Sequence, residues 1–451
     1  MLFAITLVLL VVGSVLFHFI SPWWFTPIAS NWGSIDTTIE ITFWVAGFVF
    51  IAINIFMAYC VYKFGYNKNR RATYEPENKK LEVWLTAITT VGVAALLVPG
   101  LFVWADFVNV PEDAHEVEVV GQQWQWSFRY PGADGLLGAA DASNISAVNP
   151  FGMDADDPYG QDDILVSSKE MHLPIDRPVK LSLRSKDVLH DYAVAQFRVK
   201  MDMVPGSVSY MWLTPTLEGT YDILCEELCG IGHFVMRGKV VVENEESYSS
   251  WLESQMTYAQ LNAQAAGNPQ VGQALYAVCS ACHGVNGEGN EALNAPNLTG
   301  LEPWYIKRQI NYYKTGVRGG ENDVVGMTMA PMASVLVDDA AINNVAAYID
   351  SLPDVSSPIT VTGDVANGRA LYEPVCGICH SEEGTGIWAV NAPALAGMSD
   401  SYLARQLQNF KSGVRGAHKD DEYGFQMTSM VTALKDDEAI NDVVSYINTL
   451  R

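Results

Sequence analysis

The sequence predicts a multidomain protein: N-terminal transmembrane α-helices, a β-sandwich, and two tandem copies of one all-α domain. Three observations carry that prediction. Long apolar runs crowd residues 1–110, short alternating segments fill about 111–250, and the remainder repeats itself at an offset of 97 residues. A chain of 451 residues, 49% of them hydrophobic, has the size for several domains and the composition for both packed cores and membrane segments. The net charge of −24 argues against nucleic acid or anionic lipid as a partner and favours a cationic one, with simple solubility as the alternative meaning.

The helices come first. Apolar runs at about 2–20, 39–62 and 83–107 can each cross roughly 30 Å of hydrocarbon. Between the second and third, KFGYNKNRRATYEPENKK carries Lys63, Lys68, Arg70, Arg71, Lys79 and Lys80, whereas residues 1–35 contain no Lys or Arg. The positive-inside rule therefore puts 63–80 in the cytoplasm and everything after the third helix outside, a multi-pass arrangement. The first run lacks the basic start of a signal peptide and is read as a retained helix. Its cleavage would leave the later domains on the same side. Cys60, inside the second run, reads as a small apolar filler.

From about residue 111 the pattern changes. HEVEVVGQQWQWSFRY and PVKLSLRSKDVLHDYAV are rich in Val, Trp, Tyr and Phe, alternate, and are punctuated by Gly and Pro, as expected of an antiparallel sandwich or barrel over 111–250. Residues 133–163 read as a long acidic inserted loop. A calcium site there is conceivable, but no known loop spacing matches, and a solvated excursion is the simpler reading.

After residue 250 the character is helical and duplicated, giving domains at 265–353 and 362–451. LYAVCSACHGVNGEG is echoed by LYEPVCGICHSEEGTG, NAPNLTG by NAPALAG, and YKTGVRGG by FKSGVRGA. Each copy carries C-x-x-C-H: Cys279, Cys282 and His283, then Cys376, Cys379 and His380. Two thiols one helical turn apart can add to the two vinyl groups of one haem while the adjoining imidazole reaches the iron. One such motif could be half a zinc site or a redox dithiol. Twice, in a repeat, outside the membrane and with methionines matched downstream, it reads as two haems c.

The twelve residues CEELCGIGHFVM, 225–236, gather Cys225, Cys229, His233 and Met236. Thiolate, thioether and imidazole are soft ligands that select copper over calcium or magnesium, and two thiolates can bridge two copper ions. A second histidine is then needed, and SKDVLHDYAV supplies His190. A disulfide and a structural zinc are the alternatives.

That complete set resembles the binuclear CuA site of haem-copper oxidase subunit II, a cupredoxin-like domain, with likeness extending over about 30–245. The resemblance implies that the main-chain carbonyl of Glu227 completes the ligation and that its side chain reaches a magnesium or manganese ion at the junction with subunit I. It also implies that Trp124, in GQQWQWSFRY, is the surface residue mediating electron transfer into CuA; Trp126 reads as core. RVKMDMVPG falls where the family has its Lys-x-Asp-x-x-Pro-Gly turn. The family's Glu, Trp-Thr and Pro pattern before the last helix is broken here, as LEVWLTAITT displaces Trp84 and has no proline. Glu82 is a candidate for the mouth of a proton channel, with a plain interfacial glutamate as the alternative.

The repeated domains resemble the class I cytochromes c, closely the dihaem periplasmic ones. On that resemblance Met329 and Met427 are the axial ligands, while Met332 and Met430 line the crevices, and Met327 is packing. The carbonyls of Pro296 and Pro393 are expected to accept the other imidazole N–H of each haem histidine.

Together these resemblances imply the CuA subunit of a cytochrome c oxidase in a bacterial inner membrane. Its partners would be subunits I and III and a soluble or membrane-attached cytochrome c-type donor. Electrons would pass to a haem-copper centre in subunit I, where oxygen reduction is coupled to proton pumping. Service to a nitric oxide reductase, and a stand-alone membrane-anchored carrier, are the alternatives. A fused domain can occupy the position over Trp124 that a soluble donor takes in the family, and the acidic runs SEEGTG and HKDDEYG lead to the expectation that haem 376–380 receives electrons and haem 279–283, beside Trp124, passes them to CuA.

Overall fold

The computed structural model describes residues 2–450 apart from 22–25, 72–73, 75, 146–148, 150, 167–168, 263–266 and 388–389. Three apolar helices lead: α1 (Leu2–Ile20), α2 (Gly33–Lys63) and α3 (Lys79–Val108), each long and apolar enough to span a membrane. The second starts at Gly33, ahead of the apolar run, because its first turns pack on the sandwich. Trp32 donates from Nε1 to Trp212 O at 2.9 Å, and Arg198 Nε meets Asp36 Oδ1 at 2.7 Å. The end of α3 closes the other side, where Trp212 Nε1 donates to Asp106 O and Tyr210 OH to Val108 O, both at 3.2 Å.

Among the described residues the sandwich has ten strands: β1 (His115–Gln122), β2 (Gln125–Tyr130), β3 (Ile164–Val166), β4 (Glu170–Pro174), β5 (Val179–Ser185), β6 (His190–Ala193), β7 (Lys200–Met203), β8 (Val208–Leu213), β9 (Gly219–Cys225) and β10 (Arg237–Glu243). One sheet runs β3-β2-β1-β5-β8 and the other β4-β10-β9-β6-β7. The fold is a β-sandwich as predicted, but the sheets are mixed. β1 pairs β5 in parallel and β10 pairs β4 in parallel, because both partners are reached by long crossovers instead of hairpins. Val117, Val119, Trp126, Phe128, Leu181, Tyr192, Ile223 and Val240 fill the space between the sheets.

The inserted segment is less solvated than its composition suggests. Phe151 and Met153 are buried against Val120, so that strand β1 is covered on both faces. Asp163 is fully buried and pairs with Arg129 Nη1 at 2.8 Å, while Glu118 pairs with Arg129 and Arg184. Its carboxylates are spent on turns: Asp157 accepts from Ala139 N and Tyr159 N. Residues 146–148 and 150 of the insert lie outside the described residues.

The two C-terminal domains are helical and share their local devices. Asn268 and Asp364 cap the first helices, Pro269–Tyr276 and Val365–Val375. Each crosses the last long helix of its copy (Asp339–Asp350, Asp437–Ile447) at a glycine. A Cβ on Gly272 would lie 1.9 Å from Asn344 O, and one on Gly368 would lie 2.0 Å from Asp442 O. The copies face each other about a local pseudo-two-fold. Arg308 donates to Asn391 O at 2.9 Å and Arg405 to Asn294 O at 2.9 Å; Arg318 meets Gln406 and Arg415 meets Gln309.

Candidate functional site

The end of β9, the start of β6 and the loop before β10 bring the predicted copper ligands together. Cys225 Sγ lies 3.7 Å from Cys229 Sγ and 3.8 Å from His190 Nδ1. Cys229 Sγ lies 3.5 Å from His233 Nδ1 and 3.8 Å from Met236 Sδ, and Glu227 O is 3.2 Å from Cys225 Sγ. The local fold explains this: Cys225 and Cys229 bracket a tight loop, and a short 3-10 turn at His233–Val235 brings Met236 back beneath it. Among the described residues, His190, Cys225 and Cys229 are the cluster of His, Cys, Asp or Glu with metal-binding spacing.

A thiol separation of 3.7 Å is far from the roughly 2.05 Å of a disulfide. The thiols hold one another in opposite states. The hydrogen bond the two thiols share pushes Cys225 well below the ordinary thiol range and Cys229 up. Ionising both at this separation would need a cation between them. Asp187 Oδ1 holds His190 Nε2 at 2.9 Å, which turns Nδ1 toward the thiols. A soft, buried donor set arranged as two halves around a thiol pair fits two copper ions.

Each C-x-x-C-H lies on a single helical turn at the floor of an apolar crevice. His283 N bonds Cys279 O, and His380 N bonds Cys376 O, both at 2.9 Å. His283 Nδ1 meets Pro296 O at 2.9 Å and His380 Nδ1 meets Pro393 O at 2.8 Å, leaving Nε2 to face the crevice. Burial lowers both imidazoles below their ordinary range, favouring the neutral form a metal takes. Met329 and Met332 line the first crevice, and Met427 and Met430 the second. Met332 is 40% exposed, and Met430 packs against the sandwich. Met327, expected to pack, is 49% exposed. Arg318, buried, and Arg415, half-buried, stand in the crevice walls, each with a buried Nε that has no hydrogen-bond partner among the described residues, a provision that fits the carboxylates of a haem.

Trp124 is 4% exposed and faces a fused domain, as expected, but that domain is the second and not the first. Trp124 Nε1 donates to Cys229 O at 3.0 Å, its carbonyl accepts from Gln426 Nε2 at 3.0 Å, and its ring walls the second crevice beside Cys379 and His380. The domain against the copper loop is therefore the one carrying Cys376 and Cys379, which reverses the order inferred from the acidic runs. Local acidity misled because part of that run is structural: Asp421 is buried and caps a helix, and Tyr423 lies under Arg308 at 4.7 Å. Trp126 is buried in the core against Tyr192. Glu82 sits exposed in the first turn of α3, some 40 Å along that helix from the end that touches the sandwich. The signal that sequence reasoning missed was Gln426, within the methionine loop itself.

Residues 115–244 match the family described as cytochrome c oxidase subunit II, periplasmic domain, and 270–353 and 365–451 match cytochrome c. An alternative cytochrome c oxidase subunit 2 of Bradyrhizobium diazoefficiens is 60% identical over 261 residues, covering 58% of this chain and 94% of that one. The chain belongs to the cytochrome c oxidase subunit II family. The cytochrome c oxidase subunit 2 of Cereibacter sphaeroides is 30% identical over 225 residues, 47% of this chain and 74% of that one. Reduced cytochrome c4 from Pseudomonas stutzeri aligns at 30% identity over 40% of this chain and 98% of that one, with a TM-score of 0.34. This subunit II is thus a membrane component of an oxidoreductase complex with cytochrome c domains joined to its C-terminal side. Its subunit II domain implies CuA and its cytochrome c domains imply haem c.

Proposed function

We propose that the protein accepts electrons from a soluble donor and passes them through two haems c and CuA to the haem-copper centre of subunit I, where oxygen reduction is coupled to proton pumping. The observation that carries this reading is the contact at Trp124, one indole touching both the copper loop and the second haem crevice. When bound, the haems and copper supply one-electron redox chemistry.

The residues of the chain provide ligation, orientation and exclusion of water. Cys225, Cys229, His190, His233, Met236 and the Glu227 carbonyl are the copper donors. Cys279, Cys282, His283 and Met329 serve one haem, and Cys376, Cys379, His380 and Met427 the other. Trp124 holds the copper loop by its indole N–H and the second domain by its carbonyl, so the two sites keep a set separation. Tyr305, Gln309, Tyr402 and Gln406 line both crevices, giving the haem pockets a common wall.

Leu228, Ile231 and Phe234 present an exposed apolar patch on the copper loop, suited to burial against subunit I. Glu227, half-buried beside it, supports the magnesium or manganese assignment at that junction. Subunit III completes the complex. The helices cross the bacterial inner membrane with 63–80 in the cytoplasm and the metal domains on the periplasmic side, which sets Glu82 at the inner face as the mouth of a proton channel. The domain limits 1–110, 111–250, 265–353 and 362–451 follow the same division of labour.

The test is purification of the intact complex, followed by metal and haem analysis and by oxygen and nitric oxide uptake with reduced cytochrome c. Two copper ions in CuA and two haems c per chain, with oxygen uptake, are expected. Nitric oxide uptake without oxygen uptake, or no catalytic partner, would overturn the proposal.

A further inference from the structure

The two cytochrome c domains present one face to different surroundings. In the second, Ile378, Cys379 and Met430 pack against the sandwich core. At the corresponding positions of the first, Ala281, Cys282 and Met332 are exposed. The mouth of the crevice repeats the contrast: Val278 is 43% and Leu293 53% exposed, whereas Val375 and Val390 are half-buried. Both crevices are built on the same sequence, so the difference is made by the sandwich, which covers one mouth and leaves the other open.

From this we infer that the open mouth of the first crevice, around Val278, Cys282, Leu293 and Met332, is the docking surface for a small electron-carrier protein whose own redox edge is apolar and ringed by lysines. The inference rests on the proposed function and adds the place and chemistry of the donor. The sister domain shows what this face does with a redox partner, because there it closes on Trp124. Charge supplies the complement. Glu291 and Glu321 are exposed, each two residues from a lining residue (Leu293, Asp323), in a chain of net charge −24. One electron would leave the reduced carrier for the haem that Cys279, Cys282, His283 and Met329 would hold, with no bond or proton changing hands.

The experiment uses the intact oxidase and a reduced, lysine-rich soluble c-type cytochrome, with haem reduction followed by stopped flow at several salt concentrations. Glu291→Lys combined with Glu321→Lys is expected to lower the second-order rate constant about tenfold at low salt and to flatten its salt dependence. Reduction by a small uncharged reductant is expected to be unchanged. Glu382→Lys, Glu383→Lys and Asp420→Lys together, on the second domain, are expected to leave the protein-donor rate within about twofold, a rim-charge effect at a non-docking site. Haem content and melting temperature check that each variant is folded. Slowing by the second set but not the first, or by neither, would overturn the inference. A wild-type complex reduced by the small reductant but by no protein donor would instead sink the donor reading on which it rests.

Discussion

Gly232→Ala tests whether Trp124 joins the copper loop to the second cytochrome domain. Gly232 has φ −90°, open to any L-residue, so the cost is steric. An added Cβ would lie 2.2 Å from Trp124 Cδ2 and 2.3 Å from Cε3, and ordinary contact begins at 3.4 Å. The indole must therefore move by about 1.2 Å, the difference between those contacts. It has little room, being 4% exposed, bonded to Cys229 O, and packed in the crevice wall. Overpacking costs about 1–3 kcal/mol, and loss of the indole hydrogen bond adds about 1 kcal/mol. If docking of the second domain bears the full 2–4 kcal/mol, its docked fraction relative to the undocked one falls roughly 30- to 800-fold. Stopped-flow spectra should then show the c haems reduced by donor at the wild-type rate but slow to pass electrons to copper. Unchanged transfer to copper would refute the coupling. Loss of the copper absorption along with the transfer would show that the loop, not the indole, yields.

Other outcomes follow from the same contacts. Cys225→Ser and His190→Ala each remove one donor of the copper set and should leave both haems reducible while stopping their reoxidation by oxygen; rapid reoxidation would mean that electrons bypass copper. Met329→His should keep the first haem attached yet lower its potential, since a thioether favours ferrous iron more than a second imidazole does. Redox titration decides this, and the same shift from Met332→His alone would transfer the axial role to Met332. Burial, with the Arg177 charge second, holds His115 down at about 4 from 6.5. The unfolded chain then binds the extra proton between those values, so stability is lost as pH falls from 6.5 toward 4, by at most about 3 kcal/mol. His115→Gln should flatten that dependence in denaturant midpoints measured between pH 7 and 4.

Elements whose physics is local were legible in the sequence. The three apolar runs, the alternating segments, the duplicated C-x-x-C-H and the Cys225-to-Met236 spacing all state their chemistry within a dozen or so residues. His190, 35 residues from Cys225, was found because two thiolates and one imidazole leave a ligand wanting. What depends on distant surfaces was not legible. The parallel pairing of β1 with β5 needs the path of the chain, and the burial of Phe151 and Met153 is set by a strand face the insert happens to cover. For Trp124 the sequence suggested a fused domain as neighbour but not which one, because that choice turns on Gln426, 302 positions away.

The order of the two haem domains shows why a charge run is a weak guide to a docking face. In the run HKDDEYG, Asp421 is turned inward to accept from Gly424 N, and Lys419 and Asp420 stand exposed side by side. The run therefore presents far less free negative charge than its letters suggest. Geometry constrains the order more tightly. A pseudo-two-fold pair of like domains has two equivalent outer faces once the inner faces, bound by Arg308, Arg405, Arg318 and Arg415, are used. The sandwich covers one, so the copper loop takes the second domain at the effective concentration of an intramolecular contact, which a free protein in the micromolar range cannot match. The remaining face belongs to the first domain, and the shared wall of Tyr305, Gln309, Tyr402 and Gln406 is what connects it to the second. With the second cytochrome domain seated on the copper loop, the proposed donor contact would fall two domains outward, on the open face of the first, with the copper loop itself unaltered.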